Sequence, residues 1–420
     1  MRSFVGLPSA GLASTFPADA DAVIADIVVV GAGTMGAWTA LEARRRGAST
    51  TLIDAFGAGN SRATSGDETR IIRSSHGPDA LYTRWSRLAR DAWIALGDEI
   101  GERLFVQAGM LWFANRKDGR ESESEATLRR LRIPVEHLSA DETRRRWPQV
   151  ATNHLDFVLF EPDAGLLMAR RGVAAVARGF EGAGGAIELG EVRPGTVDGR
   201  RLRDVVFPDG RRMGGDTFVF AAGPWLPGLF PDLLRPLIRV TRQDVYYVGP
   251  PAGDGRFGPG SQPCWVDYDQ AFYGIPDVER RGFKVAPDED GPPFNPTHGE
   301  RVTAPETAAL MRSYLALRFP ALAAQPIVET RVCQYEATPD THFVIDRHPD
   351  YDNVWIAGGG SGHAFKHGPV IGRYIADLLG LPADPGVPDR DPLPVPDDDR
   401  FSVTRPRHTD ASMRTGSPRR

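Results

Sequence analysis

An α/β fold in two parts follows from three stretches of the sequence: one part on a parallel sheet between helices, the other on a largely antiparallel sheet. Residues 26–54 read as strand, glycine loop, helix, strand. Residues 239–286 break into short alternating runs, "RVTRQDVYYVG", "CWVDYD", "AFYGIP" and "GFKVAP", the pattern of antiparallel strands. Residues 353–380 give a buried strand, a second glycine loop and a helix with Pro369 at its start.

Each element has its own signal. "DIVVV" (26–30) is short, β-branched and apolar, as a buried strand is. The helix "AWTALEARRR" stops at Gly47, which suits the left-handed position past a helix end, and "STTLID" (49–54) is the next strand. From Asp79 to Gly97, Leu81, Trp85, Leu88, Ala92, Trp93 and Leu96 recur at helical spacing, so Trp85 and Trp93 are expected in a core. Residues 121–149 are polar, helical and Arg-rich. A helix, "RRGVAAVARGFEGAG", and a strand, "AIELG", fill 165–190, and "DTFVFAAGPWLP" (216–227) is an apolar strand entering a Gly-Pro turn. A Pro-rich loop covers 287–306 and a helix 307–318. The ends, 1–24 and 383–420, are expected to be a disordered leader and tail: Pro8 and scattered Gly and Ser interrupt the first, and Pro, Asp and Arg dominate the second.

Composition narrows the function. The net charge of −5 and the absence of a clustered basic excess argue against a nucleic-acid partner. Arg44 to Arg46 and Arg144 to Arg146 are short basic runs expected on solvated helix faces. No apolar run approaches the roughly 20 residues that span a bilayer. Cys264 and Cys333 cannot build a disulfide framework, and point to a reducing, cytoplasmic home. The nine histidines show no metal-ligand spacing, so no metal is expected. "GGGSGH" misses a GxSxG nucleophile turn because His363 stands in the place of the final glycine. Lysine is rare: among 50 Lys+Arg, only Lys117, Lys284 and Lys366 are lysine. Lys117, in "NRKDGR", reads as an exposed turn residue. Lys284 follows Arg280 and Arg281 in one strand, and Lys366 sits in the second glycine loop.

Gly31-Ala32-Gly33-Thr34-Met35-Gly36 is GxGxxG between a strand and a helix. Gly31 allows a tight turn, Gly33 lets a pyrophosphate approach the backbone, and Gly36 lets helix and strand close up. The helix start offers unpaired N–H groups to the anion. Asp54, 21 residues beyond Gly33, is placed to accept hydrogen bonds from a ribose, and its charge disfavours a 2′-phosphate. The motif alone does not separate NAD from FAD.

Behind this motif come "SGDETRIIR" (65–73), "CQYEATPDTHFVID" (333–346) and "GGGSGHAFKHGPVIG" (358–372), in that order. Together they resemble the monomeric sarcosine oxidase family, which includes N-methyl-tryptophan oxidase, pipecolate oxidase and the fructosyl amino acid oxidases, among the D-amino-acid-oxidase-like flavoproteins. The resemblance runs from about residue 25 to about 380. It implies a Rossmann-like FAD-binding domain drawn from 25–76, 150–228 and 336–382. An α+β substrate domain, from 77–149 and 229–335, would lay its antiparallel sheet over the flavin. It also implies a monomer acting on a small amine or amino acid with O2.

Roles come from the same resemblance. Cys333 matches a cysteine bonded through sulfur to the flavin, and a thiolate is a suitable nucleophile for that link; Cys264 has no such context and is expected in the core. Arg73 and Lys366 match a pair that holds a substrate carboxylate, Arg as a planar fork and Lys as a compact charge. Lys284 matches a lysine beside the flavin where a fixed cation favours superoxide. Arg70 is expected near the flavin. Tyr273 and Tyr335 match aromatic pocket positions, with plain sheet packing equally open. Gly362, His363 and the helix start are expected to offer N–H groups to the reduced ring, and His363 has a conformational or a proton-transfer role. Val192, Gly360 and Lys366 complete the expected cofactor contacts. Two positions depart from the family: Asp288 replaces a pocket histidine, which puts sarcosine itself in doubt, and Glu68 is an apparent insertion in a loop near the cofactor phosphates. The reading is oxidation of a secondary or cyclic amine to an imine, with H2O2 as the second product. The alternatives are a flavin dehydrogenase or tailoring enzyme that desaturates a cyclic amine without O2, an NAD-dependent dehydrogenase, and a non-catalytic flavin-binding protein.

Overall fold

Strand Ala25–Val30 lies inside a sheet because it is apolar on both faces. Ile27 and Val29 join one buried cluster, and Val28 and Val30 another, as the two-residue period of a strand requires. The computed structural model describes residues 25–387 and 391–406. The expected leader and the tail from 407 onward lie outside the described residues. The sheet runs Arg193–Pro194, Asp204–Val206, Arg212–Phe220, Ala25–Val30, Thr50–Asp54, Ala186–Leu189, with Val354–Gly358 also on Arg212–Phe220 and Val344–Arg347 beyond it. Its central pairings are parallel, which requires helical crossovers. Helices Thr34–Arg45, Ala169–Gly182 and Gly368–Leu378 cover one face. Thr34–Arg45 and Gly368–Leu378 touch at Gly372, where a Cβ would lie 2.6 Å from the Trp38 carbonyl oxygen.

The second sheet runs Ile327–Ala337, Arg239–Val248, Phe283–Pro287, Phe272–Ile275, Cys264–Asp267, Met110–Ala114, Phe157–Glu161, Glu136–Leu138. Every pairing is antiparallel except Cys264–Asp267 against Met110–Ala114. Leu111 and Phe113 face a core closed by helix Pro305–Arg318, while Met110, Trp112 and Ala114 face the opposite cluster. A small sheet of Thr69–Ile72, Gly165–Met168 and Phe105–Val106 lies between the parts.

The α/β class and the mixed parallel and antiparallel sheets agree with the sequence reading, but several placements differ. Helix Ala80–Ile100, expected with the substrate domain, buries Trp85, Trp93 and Leu96 in the core of the parallel sheet's helical layer. Periodicity gives such a helix its apolar face but not the partner of that face. Strand Phe157–Glu161, expected with the FAD-binding domain, pairs with Met110–Ala114 in the other sheet. Arg46, expected in solvent, is 7% exposed and bonds Glu42 and Asp377 at 2.9 and 2.7 Å. Residues 391–406, expected as disordered tail, pack on the core. Phe401 is buried, Arg405 forks onto the Asp340 carboxylate at 2.7 and 2.9 Å, and the Trp85 indole donates to the Pro394 carbonyl. Low apolar content hid this segment, because it is held by ion pairs and two apolar anchors, Leu393 and Phe401.

Candidate functional site

At Val30 the chain must turn at once into helix Thr34–Arg45. Gly31 makes the turn at φ +108°, and a Cβ there would lie 2.4 Å from the Ala221 carbonyl oxygen. A Cβ at Gly36 would lie 1.9 Å from the Gly31 carbonyl oxygen. Gly33 differs, since its Cβ direction meets nothing nearer than Ser65 Oγ at 3.6 Å. The Thr34 N–H donates to that same oxygen at 3.1 Å. Asp54, at a strand end, accepts from the Ala32 N–H at 2.7 Å and the Phe56 N–H at 2.8 Å. Burial raises its pKa, against the pull of those bonds.

A cavity of ≈ 650 Å³ opens on these groups, within the size range of cofactor sites. Gly31, Gly33 and Asp54 form part of its wall, with Val192 and Trp225. Arg70, Tyr335, Glu336, Gly360, Gly362 and Phe365 form another part. The second loop is bent by left-handed residues, Gly359 at +65°, Ser361 at 47° and Gly362 at +76°. FAD fits these residues: an open glycine and a helix N-terminus suit its diphosphate, Asp54 its ribose, and a largely apolar remainder its ring.

Beside the cavity lies a network of buried charge, reached through Arg70. The Arg70 guanidinium donates to Asp67 Oδ2 at 2.6 Å, the Thr64 carbonyl at 2.8 Å and Cys333 Sγ at 3.2 Å. Lys284, 1% exposed, donates to Asp67 Oδ2 at 2.5 Å and the Thr69 carbonyl at 3.0 Å. The Tyr247 hydroxyl donates to Asp67 Oδ1 at 2.7 Å. Burial alone would raise the Asp67 carboxyl, but Lys284 and Arg70 overcome it and hold the acid far below the ordinary range. Burial lowers the Lys284 pKa, with Asp67 opposing. Tyr273 is half-buried with its ring centroid 5.9 Å from the Lys284 ammonium. Cys264 is wholly buried, and burial pushes its thiol up.

A second pair of cations is arranged differently. Arg73 stacks over the Trp112 ring at 4.8 Å and donates to the Ser75 carbonyl and to the Tyr268 hydroxyl, the latter at 3.3 Å. Lys366, 3% exposed, donates to the His363 carbonyl at 2.8 Å. Burial first and Arg73 second hold the Lys366 ammonium well below its ordinary pKa. Neither cation has a carboxylate partner in a salt bridge among the described residues. The nearby Glu161 is already engaged by the Ser74 and Ser75 N–H groups, the Ser75 hydroxyl and the Trp112 indole. Asp288 is half-buried and its charge acts on Tyr268, the hydroxyl bonded to Arg73. Glu68 bonds Arg331 at 2.9 Å and is not a wall of the cavity.

His363 does not reach the cavity. Its Nε2 bonds the Thr341 carbonyl at 2.9 Å, and its ring packs against Tyr82 and Phe343. Its neighbours Gly362 and Ala364 are walls and His363 itself is not, which favours the conformational role over proton transfer. The fold also brings His76, His363 and His367 together, with ligand atoms within 4.8 Å of one another, although their sequence spacing gave no metal pattern. Burial, then Arg73 and Lys366, keep these imidazoles neutral. The same two cations oppose a metal ion there.

These features define a dinucleotide-binding oxidoreductase. The family of FAD dependent oxidoreductases (DAO) matches residues 26–378, and the chain belongs to it. Among similar proteins, human peroxisomal sarcosine oxidase is 29% identical over 369 residues, 84% of this chain and 91% of that protein. The monomeric sarcosine oxidase of Streptomyces avermitilis is 29% identical over 359 residues, 84% and 93% of the two chains. The crystal structure of L-proline dehydrogenase from P. horikoshii shares the fold, with TM-score 0.75 at 20% identity, over 86% of this chain and 96% of that one.

Sequence reasoning missed Asp67, Tyr247, Tyr268, Glu336, His76 and His367. Asp67 stood in the quoted loop, and His367 lies four residues after His363, one helical turn away; both signals were available. Tyr247 came from a strand, and Tyr268 from the turn after one, whose register the sequence did not fix.

Proposed function

We propose that this protein oxidises the C–N bond of a secondary or cyclic amino acid to an imine. One observation carries the reading: Arg73 and Lys366 are neighbouring cations, Lys366 buried, without an ion-pair partner among the described residues. A buried charge of this kind is costly unless an anion joins it. A substrate carboxylate is such an anion, and would restore the Lys366 ammonium as it binds. The field of the two cations also disfavours a third positive charge, so the bound amine is held neutral with its lone pair free. Tyr268 orients Arg73, and Asp288 beside Tyr268 biases the pocket toward bulkier or more basic side chains than a methylamine. FAD, when bound, would supply a two-electron acceptor for this oxidation, with O2 as the final acceptor and H2O2 as the second product. The imine leaves and is hydrolysed by water.

Contact between the Arg70 guanidinium and Cys333 Sγ supports a covalent flavin link through Cys333. We also take the protein as a cytoplasmic monomer. The two free cysteines are in keeping with that location, and no helix among the described residues is long and apolar enough to cross a membrane.

The Asp67–Lys284 ion pair favours a second reading, a dehydrogenase. A cation already neutralised by a carboxylate at 2.5 Å stabilises superoxide less than a bare one.

The test is a panel of N-methyl, cyclic and glycated amino acids with their carboxamide counterparts, followed by flavin bleaching and peroxide yield. Bleaching by acids and not by amides is expected. Equal bleaching by both removes the carboxylate reading, and bleaching without peroxide selects the dehydrogenase.

A further inference from the structure

Glu336, one residue past the cavity tyrosine, is a wall of the cofactor cavity and 6% exposed. Its Oε2 has no hydrogen-bond partner. Glycines keep its surroundings clear: Cβ atoms at Gly360 and Gly358 would lie 3.1 and 3.4 Å from its oxygens. The Gly359 and Gly360 N–H groups bond toward the carboxyl and favour its charge. The other ionisable walls of the cavity are Asp54, Arg70, Glu191, Arg193 and Tyr335, and Arg239 flanks it on the paired strand. Burial outweighs the two backbone bonds and pushes the acid up to about 7. A carboxylate here would also share the cavity with the diphosphate of a bound FAD, like charge near like. A neutral carboxyl instead has one O–H to donate.

We propose that Glu336 is a cofactor-positioning residue, protonated when FAD binds, whose carboxyl donates a hydrogen bond to an oxygen of the ribityl–diphosphate chain. This rests on membership of the FAD-dependent family and not on amine oxidation, so an inactive substrate panel leaves it untouched.

The full chain carrying Cys333→Ser, which prevents any covalent link, is titrated with FAD by fluorescence quenching from pH 6 to pH 8. Uptake of one proton on binding makes Kd rise about tenfold across that range. Glu336→Gln, which keeps a donor of similar shape, should bind tightly with no pH step. Glu336→Leu should bind about tenfold weaker at pH 6. A flat profile in the parent, an unchanged step in Glu336→Gln, or equal weakening by Gln and Leu would each overturn the proposal.

Discussion

Two buried lysines stand in opposite electrostatic settings. Lys284 is matched by Asp67, which is itself bonded by Tyr247 and Arg70. The Lys366 ammonium has, among the described residues, one hydrogen bond, to a backbone carbonyl; Arg73 repels its charge and Glu161, already engaged elsewhere, attracts it without an ion pair. The difference separates a charge the fold has compensated from one without an ion-pair partner among the described residues, the one proposed to meet a substrate carboxylate. Substitution at the first should register in stability, and at the second in binding.

The largest expected effect is on stability. Asp67→Asn leaves the Lys284 ammonium buried without its carboxylate, a loss of about 3–5 kcal/mol for a broken buried pair, seen as a lower melting temperature. The pH dependence has a definite sign. Because the folded acid lies far below its unfolded value of about 3.9, its stabilisation is complete above that pH and declines as pH falls below it. The variant should therefore lack the part of the wild-type decline in acid that Asp67 causes. An Asp67→Asn protein that melts like wild type would erase the contrast between the lysines.

Next in size, Lys366→Met should weaken binding of a carboxylate-bearing substrate by about 2–5 kcal/mol, roughly 30-fold or more. The melting temperature without substrate should stay level or rise, since a buried amine without an ion-pair partner is replaced by an apolar side chain. A marked fall in melting temperature would mean that Lys366 is structural.

Smaller again, Lys284→Met should slow the oxygen half-reaction about tenfold and leave the amine half-reaction within about twofold. A single unscreened donor is worth about 10²–10³, and Asp67 screens this one. Stopped-flow kinetics of the two half-reactions decide it, and equal loss in both would remove the oxygen role. Cys333→Ala tests the link alone: acid precipitation should leave wild-type flavin in the pellet and release it to the supernatant in the variant.

The parallel core was legible because its signals are local. A glycine loop, a β-branched strand and an acid at a set distance are fixed by one βαβ unit. The cations were legible because lysine is rare in this chain, so Lys284 and Lys366 stood out. Their partners were not, because Asp67 and Lys284 lie 217 residues apart and only tertiary packing joins them. The same limit hid the destination of helix Ala80–Ile100, whose apolar stripe was plain. It also hid Glu336, whose importance comes from the glycines of a different strand and loop.

The strap formed by residues 391–406 reaches two distant parts of the chain. Arg405 grips Asp340, in the segment that follows Tyr335 and Glu336, and Arg400 reaches Asp79, the N-cap of helix Ala80–Ile100. A shortened version of this protein ending near residue 382, where composition alone would put the cut, would strip both grips and uncover Phe343 and Trp85. Anyone engineering a fusion or an immobilised form should attach beyond Pro406, and should expect a clipped preparation to melt at a lower temperature.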